Sequence, residues 1–164
     1  MGLKMKEILL TQGKIALVDD DDYEELSKYK WLATEHRGTF YAARGEGPRN
    51  NNKRIYMHRQ ILGLTDPNIH GDHINHNKLD NQGCNLRIAT RSQNQHNKLK
   101  QGNTSSKYKG VSWINAFGKW QTKITLHDKS IHIGLFTDEI EAAKAYNTKA
   151  VELFGEFAYL NEIA

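Results

Sequence analysis

Apolar residues recur with strand-like alternation near both ends of the chain and thin out in its middle, and this break restricts the fold more than any other feature. Residues 1–56 and 107–160 carry strand patterning, whereas 57–100 are poor in apolar side chains and hold five of the eight histidines. A length of 164 residues then allows one domain or two small modules. Hydrophobic residues at 38% and only two prolines exclude wholesale disorder. The single cysteine, Cys84, cannot form an internal disulfide and leaves no thiolate set for structural zinc, so the core has to hold the fold. No unbroken apolar run is longer than that from Ile15 to Val18, far short of the roughly 20 residues that cross a bilayer. No signal-peptide pattern opens the sequence, and the expectation is a cytoplasmic protein that is not secreted and does not meet a membrane.

The formal charge of +4 is unevenly spread. Residues 1–57 carry ten basic and nine acidic side chains, but between Asn81 and His127 there is no acidic residue and eight basic ones: Arg87, Arg91, Lys98, Lys100, Lys107, Lys109, Lys119 and Lys123. Such a stretch suits a polyanion, whose counterions it would release. A merely solvated basic face is the alternative that charge alone leaves open.

In the first segment, Glu7–Thr11 and Lys14–Val18 around Gln12-Gly13 predict a hairpin. Asp19 to Asp22 ahead of Tyr23–Tyr29 predict a helix start, the carboxylates favouring the positive end of the helix dipole. Calcium is the weaker reading, because the spacing and glycine of an EF-hand are missing. Strands are expected near Trp31–Thr34 and Thr39–Ala43, then a polar loop from Gly45 to Asn52. Met57–Leu62 with Gly63 behind it predicts a short helix closed by glycine.

The informative stretch runs from Gly71 to Asn97 and reads as strand, loop, strand, helix, with Thr90 and Gln93 forming a capping box. A loop folded back on itself would let Asp72 and Asn94 converge as two oxygen ligands suited to a hard divalent cation such as magnesium or manganese. His73 beside them would serve as a base, since a neutral imidazole can take a proton near pH 7. Asn85 would tie the loop through its amide. The chemistry implied is phosphodiester hydrolysis. His58, His70, His76 and His96 read as ordinary surface residues, with His58 and Arg59 as candidates for phosphate contact. A zinc finger is excluded by the absent cysteine pairs.

Asp72-His73-Ile74-Asn75, then Asn85-Leu86-Arg87, then Gln93-Asn94, at offsets of 13 and 22 from Asp72, resemble the ββα-metal core of HNH endonucleases. The similarity is to the branch of phage homing enzymes whose last motif position is Asn. It covers about 45 residues from Met57, and Gly71 departs from it where the family usually has an apolar residue. The resemblance implies Asp72 and Asn94 as metal ligands, His73 as general base and Asn85 as the loop-holding residue. It also implies a bacterial or phage-infected host cell.

From Tyr108 onward the pattern predicts a three-stranded antiparallel sheet and a helix. Trp120, Thr122, Ile124 and Leu126 share the core face of the second strand, and Lys119, Gln121, Lys123 and Thr125 share the other. In the third strand Ile131, Ile133 and Leu135 are expected inward, with Ser130 and His132 on the basic side. The helix should begin near Asp138, capped with Glu141, and end before Gly155, burying Ala143, Tyr146, Ala150 and Leu153. Tyr108-Lys-Gly-Val111, Gly118-Lys-Trp120, Ile133-Gly-Leu-Phe136, Glu141-Ala-Ala143, Ala145-Tyr146, and Phe154-Gly155 through Leu160-Asn161 resemble the Apetala-two (ethylene-response-factor) DNA-binding domain. That resemblance implies a sheet face in the major groove, with Lys109, Ser112, Lys119, Lys123, Thr125 and His132 toward DNA. Most of the arginines of plant members are absent, so their target sequence does not transfer.

The expectation is an α+β chain with a mixed strand-rich scaffold (1–56), an HNH nuclease core (57–100), a linker (101–106) and an Apetala-two-like module (107–164). It would act on double-stranded DNA as a metal-dependent homing-type endonuclease, with Arg87, Arg91 and Lys98 adding DNA contacts. No obligatory protein partner is inferred, and the oligomeric state is left open. A DNA-binding regulator without cleavage is the alternative, and an RNA-binding protein the third reading, though no RNA-stacking motif is present.

Overall fold

The computed structural model describes residues 4–48, 53–100, 102 and 105–163. The fold is α+β, with small antiparallel sheets and four α-helices among the described residues. Its internal contacts divide it into two compact units, Met1–Arg91 and Ser92–Ala164. The expected polar loop ends in residues 49–52, and the expected linker includes 101, 103 and 104; these lie outside the described residues.

In the first unit, β1 (Met5–Leu9) and β2 (Ile15–Asp19) form the expected hairpin, joined by a 3-10 turn whose Gln12 and Gly13 both have positive φ. Asp19 stands at the position ahead of α1 (Asp20–Leu26) without a side-chain cap bond, and three aspartates fill the helix's first turn, where their charge suits the helix dipole. An antiparallel sheet of order β3-β4-β5 follows, built from β3 (Leu32–His36), β4 (Thr39–Glu46) and β5 (Lys53–Tyr56). The strand β5 was not expected: Lys53 and Arg54 mask its short pattern, and it forms because β4 runs on to Glu46 and offers it an edge. Helix α2 (Met57–Ile61) comes directly after, with Gly63 at φ +64 beyond it. One core gathers Ile8, Leu10, Ala16, Val18, Leu26, Trp31, Ala33, Ala42 and Met57. Trp31 is buried in it and its indole N–H donates to the Leu26 carbonyl at 2.8 Å, the partner a buried indole requires. A second hairpin, β6 (His70–His73) with β7 (Leu86–Ala89), carries the candidate site.

Helix α3 (Arg91–His96) starts at the boundary of the units. In the second unit, β8 (Val111–Ile114), β9 (Lys119–Leu126) and β10 (Lys129–Phe136) form a sheet of order β10-β9-β8, with α4 (Glu139–Phe154) against it. Asp138 caps α4 by accepting from the Glu141 backbone N–H at 2.8 Å. Ala142, Ala143, Tyr146 and Ala150 are its buried stripe, and the alanines let the helix lie close to the strands. Gly110 has φ +78, and a Cβ there would meet the Tyr146 ring at 2.2 Å, so only glycine fits beneath the helix.

One inward expectation is corrected. The register of β10 shifts between His132 and Gly134, so the alternation slips by one residue. Leu135 therefore pairs with Gln121 on the polar face and is exposed, while Phe136 pairs with Trp120 and packs on the core.

Candidate active site

The strand β6 delivers Asp72 and His73 at its end, and both side chains are only 1% exposed although they are neighbours on a pleated strand. Opposite Asp72 in the register stands Arg87. Its Nε and Nη2 both donate to Asp72 Oδ2, at 3.0 and 2.8 Å, and Lys78 Nζ lies 3.9 Å from Oδ1. The carboxylate is thus held between two cations, which offsets part of the cost of burying it.

His73 sits against His58, the ring centroids 5.0 Å apart and nearly edge-on. Burial, the adjacent His58 and the charge of Lys78 push the His73 imidazole down to about 3, against the opposing pull of its hydrogen bond with Asn81. Burial, with Lys78 and Arg59, takes His58 down to about 4. Both rings are neutral at pH 7. The missing side chain at position 71 explains the close packing: a Cβ on Gly71 would come 2.6 Å from His58 Cδ2. The departure from the family pattern at Gly71 is the space that His58 fills.

The loop between the strands is cross-linked by its own amides. Asn85, buried, accepts from the Asn75 backbone N–H at 2.9 Å and donates to the Asp80 carbonyl at 2.7 Å. Its backbone carbonyl accepts from Ile74 N–H. Asn75 and Asn77 close successive turns through Asn77 N–H and Leu79 N–H. The loop is also tied to β2: Leu17 donates to the Leu79 carbonyl and accepts from Asn81 N–H, at 2.8 and 2.7 Å. Asp19 accepts from Gly83 N–H at 2.8 Å and from Gln82 at 3.3 Å. The N-terminal hairpin is therefore part of the site's frame.

Asp72, His73 and Asn85 are brought together within the first unit, whereas Asn94 is a half-buried residue of α3 in the second. His58 is buried, not a surface residue, because Gly71 opens a slot for it. Arg59 donates to the carbonyls of Ile69, Leu64 and Asp66, which ties it to the 64–69 loop. Arg87 and Lys109, read from the sequence as DNA-facing, have internal partners. Arg87 holds Asp72, and Lys109 Nζ donates to the carbonyls of His96 and Lys98 at 2.9 and 2.6 Å. Burial lowers Lys109 to about 8. Lys119, Lys123, Thr125 and His132 are exposed on one face of the β10-β9-β8 sheet, where Ser112 is half-buried opposite Gln121. Arg91 and Lys98 are exposed.

Asn81 and Lys78 were missed in the sequence, and Asp19 and His58 were read there for other roles, since a polar side chain carries no sign of what it will touch. Among the described residues, no group of three or more His, Cys, Asp or Glu is placed to hold a metal ion. A hard divalent cation takes one or two carboxylates and completes its shell with water and phosphate oxygens, and Asp72 is a buried carboxylate of that donor class.

The chain is 35% identical over 157 residues, 93% of its length, to a protein of Acanthamoeba polyphaga mimivirus named as an uncharacterized HNH endonuclease, 77% of which the match covers. The chain belongs to the HNH endonuclease family. A 59-residue part of this HNH-family chain, 35% of it, is 39% identical to APETALA2-like protein 2 of rice, in both the indica and japonica subspecies, and covers 13% of those proteins. No family profile matches. Among the described residues, no helix is long and apolar enough to cross a membrane.

Proposed function

We propose that this chain is a metal-dependent, homing-type endonuclease that hydrolyses phosphodiester bonds in double-stranded DNA. The observation that carries the reading is the buried Asp72–His73 pair at the end of β6, facing a loop closed by Asn85, in a chain of this family. His73 is the general base, and its neutral ring can take the proton of an attacking water. A phosphate drawn beside it would raise its basicity, since negative charge favours the imidazolium. Asn85 keeps the loop folded over the base. Asp72 and Asn94 would hold magnesium or manganese, which supplies charge neutralisation at the phosphate and the departing 3′ oxygen; the assignment of Asn94 rests on the motif spacing. Arg87 keeps the Asp72 carboxylate in one orientation.

The functional division we propose is scaffold (1–56), nuclease core (57–100), linker (101–106) and DNA-binding module (107–164). The exposed Lys119, Lys123, Thr125 and His132, with Ser112 beside them, support a DNA-facing sheet, and Arg91 and Lys98 are further exposed cations. The test is supercoiled plasmid incubated with the protein in magnesium, manganese or chelator. Nicking or cutting that needs the cation and disappears in His73→Ala, with DNA binding retained, is the expected result. Cleavage that persists in chelator, or in His73→Ala, would contradict it.

A further inference from the structure

We propose that Asn81 is a positioning residue for His73: its amide fixes the imidazole as the tautomer protonated at Nε2, so that Nδ1 is the nitrogen that accepts the proton of the attacking water. The inference rests on the nuclease reading above for the role of His73, and on hydrogen bonding alone for the tautomer.

Asn81 is 1% exposed, and its Oδ1 lies 3.3 Å from His73 Nε2. The other end of the amide decides the direction of that bond. Asn81 Nδ2 donates to the Leu79 carbonyl at 3.1 Å, and a carbonyl can only accept. Turning the amide over would set its oxygen against the Leu79 carbonyl, two acceptors facing each other with no hydrogen between them. Oδ1 must therefore face the imidazole, and an amide oxygen can bond Nε2 only if Nε2 carries the hydrogen. In a neutral ring the lone pair is then on Nδ1. Leu79 cannot shift to accommodate the reverse arrangement, because its carbonyl also accepts from Leu17 N–H while Asn81 N–H donates to the Leu17 carbonyl. The strand β2 thus sets the tautomer of a histidine more than fifty residues away along the chain.

In the step this serves, the Nδ1 lone pair takes a proton from water and the oxygen's electron pair forms the new P–O bond. The pair of the broken P–O3′ bond leaves on the 3′ oxygen, which takes a proton from solvent, and the imidazolium returns its own proton to solvent. The Nε2–H bond to Asn81 Oδ1 persists throughout and strengthens as the ring becomes positive.

Two readouts on the full chain test this. Long-range ¹H–¹⁵N correlation spectra of ¹⁵N-histidine-labelled protein at pH 7 should show His73 as the Nε2–H tautomer, a measurement that needs no variant. Asn81→Ala should lose that preference and lower the single-turnover cleavage rate by about tenfold to a hundredfold, less than the loss in His73→Ala, with DNA affinity held within about twofold. Asn81→Asp keeps an acceptor oxygen opposite Nε2 but sets its second oxygen against the Leu79 carbonyl, so it should retain the tautomer while lowering stability. A wild-type ring protonated at Nδ1, or an Asn81→Ala protein with unchanged tautomer and rate, overturns the proposal while leaving the nuclease reading intact. A wild-type protein that cuts no DNA overturns that reading and this role together.

Discussion

At the scale of single residues, the motif was legible because its spacing joins positions that independent turn chemistry would not align. Asp72, His73 and Asn85 do meet around one hairpin. The residues that tune them were not legible, since His58 is buried only because position 71, on another element, lacks a side chain. Gly71 has no left-handed φ, so Gly71→Ala should act by collision with the His58 ring and close approach to Leu62, and cost about 1–3 kcal/mol in urea unfolding. Gly110→Ala adds a left-handed φ to a clash with Tyr146 and with the Lys123 carbonyl, and should cost about 3 kcal/mol or more. His58 also predicts how stability follows pH. Burial holds it neutral down to about 4, while the unfolded chain protonates it near 6.5. Between those values the unfolded state binds the extra proton, so the stabilisation present above pH 6.5 is lost as pH falls toward 4, by up to about 1.4 kcal/mol per unit. Urea midpoints measured from pH 7 to 4 should show this slope in the wild type and a shallower one in His58→Leu.

Secondary-structure elements with a strong period were predicted where they stand: the first hairpin, α2, the strands of the candidate site, β9 and α4. Misreadings arose where tertiary pairing overrides local pattern. Nothing within Lys53–Tyr56 marks it as a strand, and β4 makes it one. In β10 the alternation is correct up to the bulge and inverted after it, because a two-residue period has no memory of an inserted residue. The inversion can be checked by stability. Phe136→Ala should cost about 2 kcal/mol or more, since its ring packs on the core, and Leu135→Ala less than about 0.5 kcal/mol. Uninterrupted alternation demands the opposite order. Asp138→Ala, which removes the acceptor from Glu141 N–H, should cost about 1 kcal/mol.

Over the whole molecule, the basic stretch from Asn81 to His127 counted eight cations, and the structure divides them by what they touch. Arg87 holds a buried carboxylate and Lys109 holds two carbonyls, so neither adds to the surface available to a polyanion. Six remain, and if all of them met phosphates the salt dependence of binding from this stretch would have a log–log slope no steeper than about −5. Lys119 and Lys123, exposed on the sheet face, should each contribute about 0.9 to that slope, so Lys119→Gln with Lys123→Gln should make it shallower by about 1.8. Arg87→Gln should behave differently, leaving the slope unchanged while destabilising the first unit by about 3–5 kcal/mol, because it strips a partner from buried Asp72. Titrations of a duplex oligonucleotide in magnesium-free buffer at several salt concentrations, beside urea unfolding of the same variants, separate the two behaviours. A shallower slope in Arg87→Gln would return that residue to the DNA surface, and an unchanged one in the double lysine variant would remove the β10-β9-β8 sheet from it.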